Sequence, residues 1–373
     1  MKNPNNYLSK NDRKIKFAVI GCGRISPNHI AAAIENDIEI VALCDLIEEN
    51  MDDKIAKFSL KDNVKKYKDY KTMLDNETID LAAIATESGK HGEIALYCLD
   101  KGINLIIEKP ITLSLDEADQ IIKKSIEKNL KVSACHQNRF NKSIQKIRDA
   151  LQKNRFGKLF YGTAHIRWNR TREYYDRAKW RGTWENDGGA LMNQCIHNID
   201  LLRWMMGNEI DEVVAMTDNL NHDYIEAEDL GIALVKFRNG SYGTIEGTTN
   251  IYPQNLEETL YIFGEKGTVK AGGSSVNLIE EWSFADLLDN PDKVKKEFSD
   301  SPPNIYGFGH IPLYADVKDS IINDREPYVT AKDGRDALEL VLAIYESAFT
   351  NEKVKLPLHG MNTLRYNGRF NKD

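Results

Sequence analysis

This chain is short of three things, and each shortage removes a class of protein. Long apolar runs are missing. Mean hydropathy is −0.50, and no stretch approaches the roughly 18 apolar residues that a membrane span needs, so no membrane partner is expected. Cysteine is scarce. The five cysteines (Cys22, Cys44, Cys98, Cys135 and Cys195) are odd in number and form no CxxC pair. Cys44, Cys98 and Cys135 lie in apolar segments and read as buried small side chains in a reducing, cytoplasmic compartment. No His/Cys cluster has metal-ligand spacing, so no metal is expected. An excess of positive charge is also missing. With 50 Lys and Arg against 57 Asp and Glu, the net charge is −7, and nucleic acid is not the expected partner.

What is present fits a two-domain protein. The 373 residues are 41% hydrophobic, enough for two separate cores. Residues 1–13 are polar, lack the apolar core of a signal peptide and are expected to form a tail. Apolar runs at 15–20, 38–44, 81–85, 104–107 and 131–135 alternate with helical patterns at 29–35, 48–58, 70–74, 92–101 and 115–128. Continuous apolar strands alternating with helices predict a doubly wound parallel sheet, an α/β Rossmann domain over 14–137. After His136 the pattern changes. A helix at 144–152 and a strand at 158–167 lead to a loop dense in Arg, Trp and Tyr. A helix over 190–206 follows, then strand-like runs at 212–218, 229–237, 242–248, 258–263 and 267–271, and closing helices at 311–322 and 334–349. Consecutive strands with short turns predict an α+β domain over 138–350 with a large, mostly antiparallel sheet. Residues 360–373 are expected to be a second tail.

The first strand runs into Gly21-Cys22-Gly23-Arg24-Ile25-Ser26 and then a helix. Glycine lets such a loop turn tightly and lets the backbone approach a pyrophosphate, which the helix N-terminus then receives. Gly21, Gly23, Arg24 and Ile25 are therefore candidate cofactor residues. The third position is Ser26 rather than Gly or Ala. Asp45 ends the next strand, 24 residues after Gly21, where an acid receives the ribose hydroxyls. No Arg or Lys follows it in Leu46-Ile47-Glu48-Glu49. Two like charges about 4 Å apart at an effective dielectric near 20 repel by roughly 4 kcal/mol, so NAD rather than NADP is expected.

The fifth strand ends in Glu108-Lys109-Pro110. Ligands of an open parallel sheet sit beyond the carboxyl ends of its strands, which places Lys109 near substrate and nicotinamide. On the helix over 190–206, Asn193 and His197 are four residues apart and share a face. Asp200, three residues further on, is placed to orient the His197 ring. Oxidising an alcohol needs one group to take the hydroxyl proton and another to hold the developing alkoxide. Histidine and lysine suit those tasks, and either can be the base.

Gly21–Ser26, Glu108-Lys109-Pro110 and the segment from Gly188 to Asp200 together resemble the Gfo/Idh/MocA oxidoreductase family over roughly residues 14–350. That resemblance implies a Rossmann domain followed by an α+β domain whose open sheet often makes oligomer contacts, so a homo-oligomer, dimer or tetramer, is expected. It also implies that Lys109 and His197 are catalytic. The family commonly has Asp four residues before the histidine. Here Asn193 stands there, and it can hydrogen-bond a hydroxyl but cannot take its proton.

The segments 85–91, 135–141 and 180–184 are similar to nucleotide-sugar dehydrogenases of bacterial polysaccharide pathways, most of all to those that oxidise C3 of UDP-N-acetylglucosaminuronate. This implies that Thr86, His91, Glu108, Gln137, Asn138, Trp180 and Arg181 line the cofactor or sugar region. The loop over 167–181 independently suits an anionic substrate. It carries Arg167, Arg170, Arg172, Arg177 and Arg181 among Trp168, Tyr174, Tyr175 and Trp180. Arginine forks onto phosphate or carboxylate, and aromatic faces stack on uracil or sugar. Arg172, Tyr174, Tyr175 and Tyr306 are the candidate substrate residues, with His310 nearby. UDP-N-acetylglucosamine, a free aldose or an inositol are alternative substrates. A non-catalytic NAD-binding regulator is the reading from another class.

Overall fold

Buried apolar runs set the first sheet. In the computed structural model, which describes residues 14–301 and 307–370, six strands form it: β1 (Lys16–Ile20), β2 (Glu39–Cys44), β3 (Lys65–Tyr67), β4 (Leu81–Ile84), β5 (Asn104–Ile107) and β6 (Val132–Ala134). Helices α1 (Ser26–Glu35), α2 (Glu48–Phe58), α3 (Tyr70–Asn76), α4 (His91–Asp100) and α5 (Leu115–Lys128) alternate with them. The order is β3-β2-β1-β4-β5-β6, and every pair is parallel. This is the doubly wound α/β sheet that the sequence predicts. Strand β3 was not predicted. Its residues, Lys65-Lys66-Tyr67, form an edge strand, and polar edges carry no apolar run to read.

The chain then forms α6 (Lys142–Gln152), β7 (Leu159–Arg167), the short α7 (Arg172–Asp176), α8 (Ile196–Met206), β8 (Ile210–Asp218), β9 (Leu230–Phe237), β10 (Tyr242–Thr248), β11 (Glu257–Gly264), β12 (Gly267–Gly272) and β13 (Leu278–Phe284). Helices α9 (Pro291–Glu297), α10 (His310–Ile322) and α11 (Ala331–Thr350) follow, then β14 (Val354–Lys355). The second sheet has eight strands in the order β13-β12-β11-β7-β10-β9-β8-β14. Only β7 and β10 pair in parallel. One face is packed against α8 and α11. The other exposes Val214, Met216, Ile232, Leu234 and Tyr242, with Met216 opposite Ile232 and Val214 opposite Leu234.

Three expectations change. The helix expected over 190–206 begins instead with a π-helical turn, Leu191–Cys195, before α8. Its first amides are claimed from outside: Leu191 N–H donates to Glu228 Oε1 (2.7 Å) and Met192 N–H to Tyr345 Oη (3.3 Å). The expected tail at 360–373 is packed as far as it is described. Tyr366 is fully buried and its ring meets those of Trp184 and Tyr345. Helix α10 does not stay with the second sheet. It packs on α1, where Tyr314 meets the Phe17 ring edge-on at 5.6 Å and Asn36 Nδ2–H donates to the Ile311 carbonyl (2.9 Å).

The two sheets are joined by buried charge. Arg139, in the turn after β6, donates through Nε and Nη2 to both oxygens of Asp200 (2.7 and 2.6 Å) and through Nη1 to Asp333 (3.0 Å). Arg203 adds a contact to Asp200 at 3.4 Å. Burial alone would push the Asp200 carboxyl up, but the Arg139 charge prevails and holds it well below the usual carboxylate range. Asp200→Ala leaves two buried guanidinium groups without their shared partner. Urea denaturation should show a loss of about 3–5 kcal/mol, the range for breaking a buried pair from one side.

Candidate active site

The carboxyl ends of β1, β2, β4, β5 and β6 deliver Gly21, Asp45, Thr86, Lys109 and Gln137 to one edge of the first sheet, where its strand order reverses. Gly21 has φ +95°, and a Cβ there would lie 2.5 Å from the Ala85 carbonyl oxygen. Only glycine lets β1 and β4 approach this closely. At Gly23 a Cβ would meet nothing within 4 Å, so the loop leaves open space in which it could receive a pyrophosphate. Ser26, the departure at the third position, donates its hydroxyl to the Gly23 carbonyl (2.8 Å) and braces the loop. No side chain caps α1, which leaves its first-turn amides to an anion. Asp45 accepts from Cys22 N–H (2.7 Å) and Ile47 N–H (2.8 Å), so its carboxylate is fixed beside the loop. These residues fit a dinucleotide.

Lys109 follows Glu108 and precedes a cis peptide bond to Pro110. Its Nζ donates to the Asn193 carbonyl oxygen (2.7 Å) and approaches Asn193 Oδ1 (3.4 Å). Burial lowers its pKa, against the opposing charges of Glu108 and Asp187. His197 lies beside it, with Nε2 3.4 Å from Gln137 Nε2 and Nδ1 buried without a partner. Burial first, then the charges of Lys109 and His136, hold the imidazole well below its usual pKa, so it is neutral at pH 7. Asp200 does not orient the His197 ring as expected, because Arg139 takes both its oxygens.

Asn193 is itself held. Its Nδ2–H donates to Asp187 Oδ1, and Gln194 Nε2–H donates to its Oδ1 (2.9 Å). Asp187 is buried and also accepts from Gly182 N–H (2.7 Å). Burial pushes its carboxyl up to about 6. A carboxylate therefore stands next to Asn193, although none stands at that position.

A cavity opens between these groups. Of the candidates from sequence, Arg24, Lys109, Gln137, Asn138, Tyr174, Asn193 and His197 line it. Trp168 and Arg170, from the loop that the sequence marks for an anionic substrate, also line it, as do Gln194 and Glu258, which sequence reasoning missed. Arg170 lies over the rings of Trp168 (4.8 Å) and Tyr174 (5.0 Å) and donates through Nε to Gln194 Oε1 (2.9 Å). The other arginines of that loop are placed elsewhere. Arg167 pairs with Glu246 and Glu257, and Arg172 is exposed and pairs with Asp176. Arg181 stacks on Tyr174 and donates to its carbonyl. Trp180 lies beside it, outside the cavity lining. Tyr175 is buried against His222 and Tyr224. Tyr306 lies outside the described residues.

Three cofactor candidates do structural work. His91 spans the carbonyls of Pro110 (2.8 Å) and Thr86 (3.2 Å), fixing the loops after β5 and β4. Ile25 forms the N-cap of α1. Glu108 is buried and accepts from His29 Nε2–H (3.1 Å), while Tyr314 O–H donates to His29 Nδ1 (2.7 Å). Burial opposes ionisation of Glu108, but the contacts from His29 and His310 prevail and hold it well below the usual range. Ligand-capable atoms of His29, Glu108, Cys135 and His310 lie within 4.8 Å of one another. They come from four segments, so no sequence spacing reveals them. Burial and Glu108 keep the Cys135 thiol protonated, and the group forms a hydrogen-bonded junction between α1, β5 and α10. All five cysteines are free and buried.

Residues 15–136 match the oxidoreductase family with an NAD-binding Rossmann fold, and residues 144–270 match the GFO/IDH/MocA C-terminal domain. The chain belongs to the Gfo/Idh/MocA oxidoreductase family. It is an NAD-dependent oxidoreductase acting on CH–OH groups. Among solved structures it is similar to the WlbA dehydrogenase of Bordetella pertussis in complex with NADH and UDP-GlcNAcA (38% identity, TM-score 0.86, 93% of this chain and 99% of that one). The WlbA dehydrogenase of Chromobacterium violaceum, with the same ligands, is 34% identical (TM-score 0.84, 93% and 97%). Myo-inositol 2-dehydrogenase of Thermotoga maritima is 24% identical over 92% of this chain and 98% of its own. No helix among the described residues is long and apolar enough to cross a membrane.

If the fixed carboxylate of Asp45 receives the ribose, as the sequence predicts, its charge sets cofactor choice. Fluorescence titration should show NADPH binding on the order of a thousandfold more weakly than NADH, from the repulsion of about 4 kcal/mol between a 2′-phosphate and Asp45.

Proposed function

We propose that this family member oxidises the C3 hydroxyl of a UDP-linked N-acetylated sugar, UDP-N-acetylglucosaminuronate, to the 3-keto sugar for polysaccharide biosynthesis. The similarity at 38% identity to an enzyme that binds NADH and UDP-GlcNAcA carries this reading. Arg170, whose Nε and Nη1 are held by Gln194, Asn169 and Asn255, adds a fixed cation beside the aromatic faces of Trp168 and Tyr174, which favours an anionic sugar.

The Gly21–Gly23 loop and Asp45 would hold NAD, which would supply the hydride acceptor when bound. Neutral His197 takes the hydroxyl proton. The Lys109 ammonium, drawn partly out of water, donates to the same oxygen and stabilises it as negative charge develops. Asn193 fixes Lys109 through its carbonyl, and Asp187 fixes Asn193. The exposed apolar face on β8, β9 and β10 is the oligomer contact, because an apolar patch of this kind is covered in a stable protein. The five free thiols suit the cytoplasm.

A second reading, oxidation of an inositol or free sugar, is favoured by the myo-inositol 2-dehydrogenase relative. Absorbance of reduced nicotinamide, with UDP-N-acetylglucosaminuronate, UDP-N-acetylglucosamine and myo-inositol offered separately, separates the two. Turnover confined to the polyol sinks the first. His197→Ala should lower kcat by about 10²–10⁴, the span of general-base catalysis, and leave the Kd for NADH little changed. Near-normal turnover refutes His197 as the base.

A further inference from the structure

Glu258 stands out in the cavity because, among the described residues, nothing pairs with it. Strand β11 alternates. Glu257 points to the open face and is bound by Arg167 Nη1 (2.6 Å). Glu258 shares the covered face with Leu260 and Ile262, which are fully buried. The register therefore places a carboxyl where an apolar side chain belongs. Glu258 is 1% exposed, and its Oε1 has no hydrogen-bond partner. A buried carboxyl that served only the fold would be bonded within it. This one lines the same cavity as Lys109 and His197.

We propose that Glu258 is a specificity residue that hydrogen-bonds the acylamino substituent on the sugar carbon next to the one oxidised. The proposal rests on the nucleotide-sugar reading given above. The charged and titratable groups around Glu258 are Lys109 from the end of β5, Cys195 from the π-helical turn, His197 from α8, Arg170 from the loop after β7 and Arg24 from the glycine loop. Lys109 is the one whose charge favours ionisation, and burial outweighs it, pushing the carboxyl up to about 8. Below that pH Glu258 is a neutral acid and donates its O–H to the amide carbonyl. Above it the group is an anion with no proton to donate. The bond to the amide carbonyl is therefore lost as pH rises through about 8.

The test measures kcat and KM on UDP-N-acetylglucosaminuronate and on UDP-glucuronate, which has a hydroxyl in place of the acylamino group. E258L should raise KM for the acylamino substrate by about tenfold or more, as for a site deprived of a hydrogen bond it is built to make. The hydroxyl substrate and the Kd for NADH should change much less. E258Q keeps a donor that does not titrate, so it should retain activity and lose the rise in KM near pH 8. Equal losses on both substrates, no loss on either, or a wild-type pH profile in E258Q overturns the proposal. Should the wild-type enzyme oxidise only a free polyol or sugar, the nucleotide-sugar reading fails. No turnover on either nucleotide sugar marks that outcome and overturns the acylamino proposal with it, whereas turnover on UDP-N-acetylglucosaminuronate with equal losses in E258L overturns the proposal alone.

Discussion

The guanidinium of Arg139, its side chain 1% exposed, is buried between the carboxylates of Asp200 and Asp333. Arg139 belongs to the turn that leaves β6, which also carries Gln137 and Asn138 to the cavity. Asp200 belongs to α8, one turn beyond His197, and Asp333 to the first turn of α11, where it also closes a capping box with Thr330. One planar cation thus sets the distance between the cofactor sheet and the helix that bears the imidazole. Isolated buried pairs add little to stability, because desolvation offsets their attraction. This one fixes geometry: neither helix can slide without stranding a charge.

The electrostatics of the site follow from that closeness. Lys109 and His197 are both partly withdrawn from water, and the lysine charge helps to keep the histidine neutral. In the proposed mechanism the lysine donates to the oxygen while the neutral imidazole accepts its proton. Asp187 tempers the arrangement. Its carboxyl, pushed up to about 6 by burial, acts on the lysine by its charge and is tied to it by hydrogen bonds through Asn193. Asparagine at 193 therefore relays position, and the negative charge lies one side chain further away.

Much of this was legible in the residues. Fully buried strands announce themselves as continuous apolar runs, and helices α2 and α5 lie where their patterns place them. Gly21, Asp45, Lys109 and His197 could be singled out because each is tied to a strand end or a helix face. The missing parts share a cause: they depend on partners far away in the chain. The π-helical turn needs Glu228 and Tyr345 to claim its first amides. The destination of Asp200 was set by Arg139, 61 residues before it. In the arginine-rich loop, composition suggested anion binding, but only tertiary packing separates Arg170, which faces the cavity, from Arg167, which cross-links the open sheet. Glu258 did leave a trace, as an acid at the register of Leu260 and Ile262.

Helix α10 has a bearing on how the molecule comes into being. Leu313, Tyr314 and Val317 complete the apolar layer over Phe17, Val19 and Ile30, yet they are synthesised some three hundred residues later. During translation the nucleotide-binding half emerges with that layer unroofed and with the His29–Glu108 contact lacking its Tyr314 partner. The half that is made first is thus finished last, and a ribosome-bound chain carries an exposed greasy flank until residue 322 has cleared the exit tunnel.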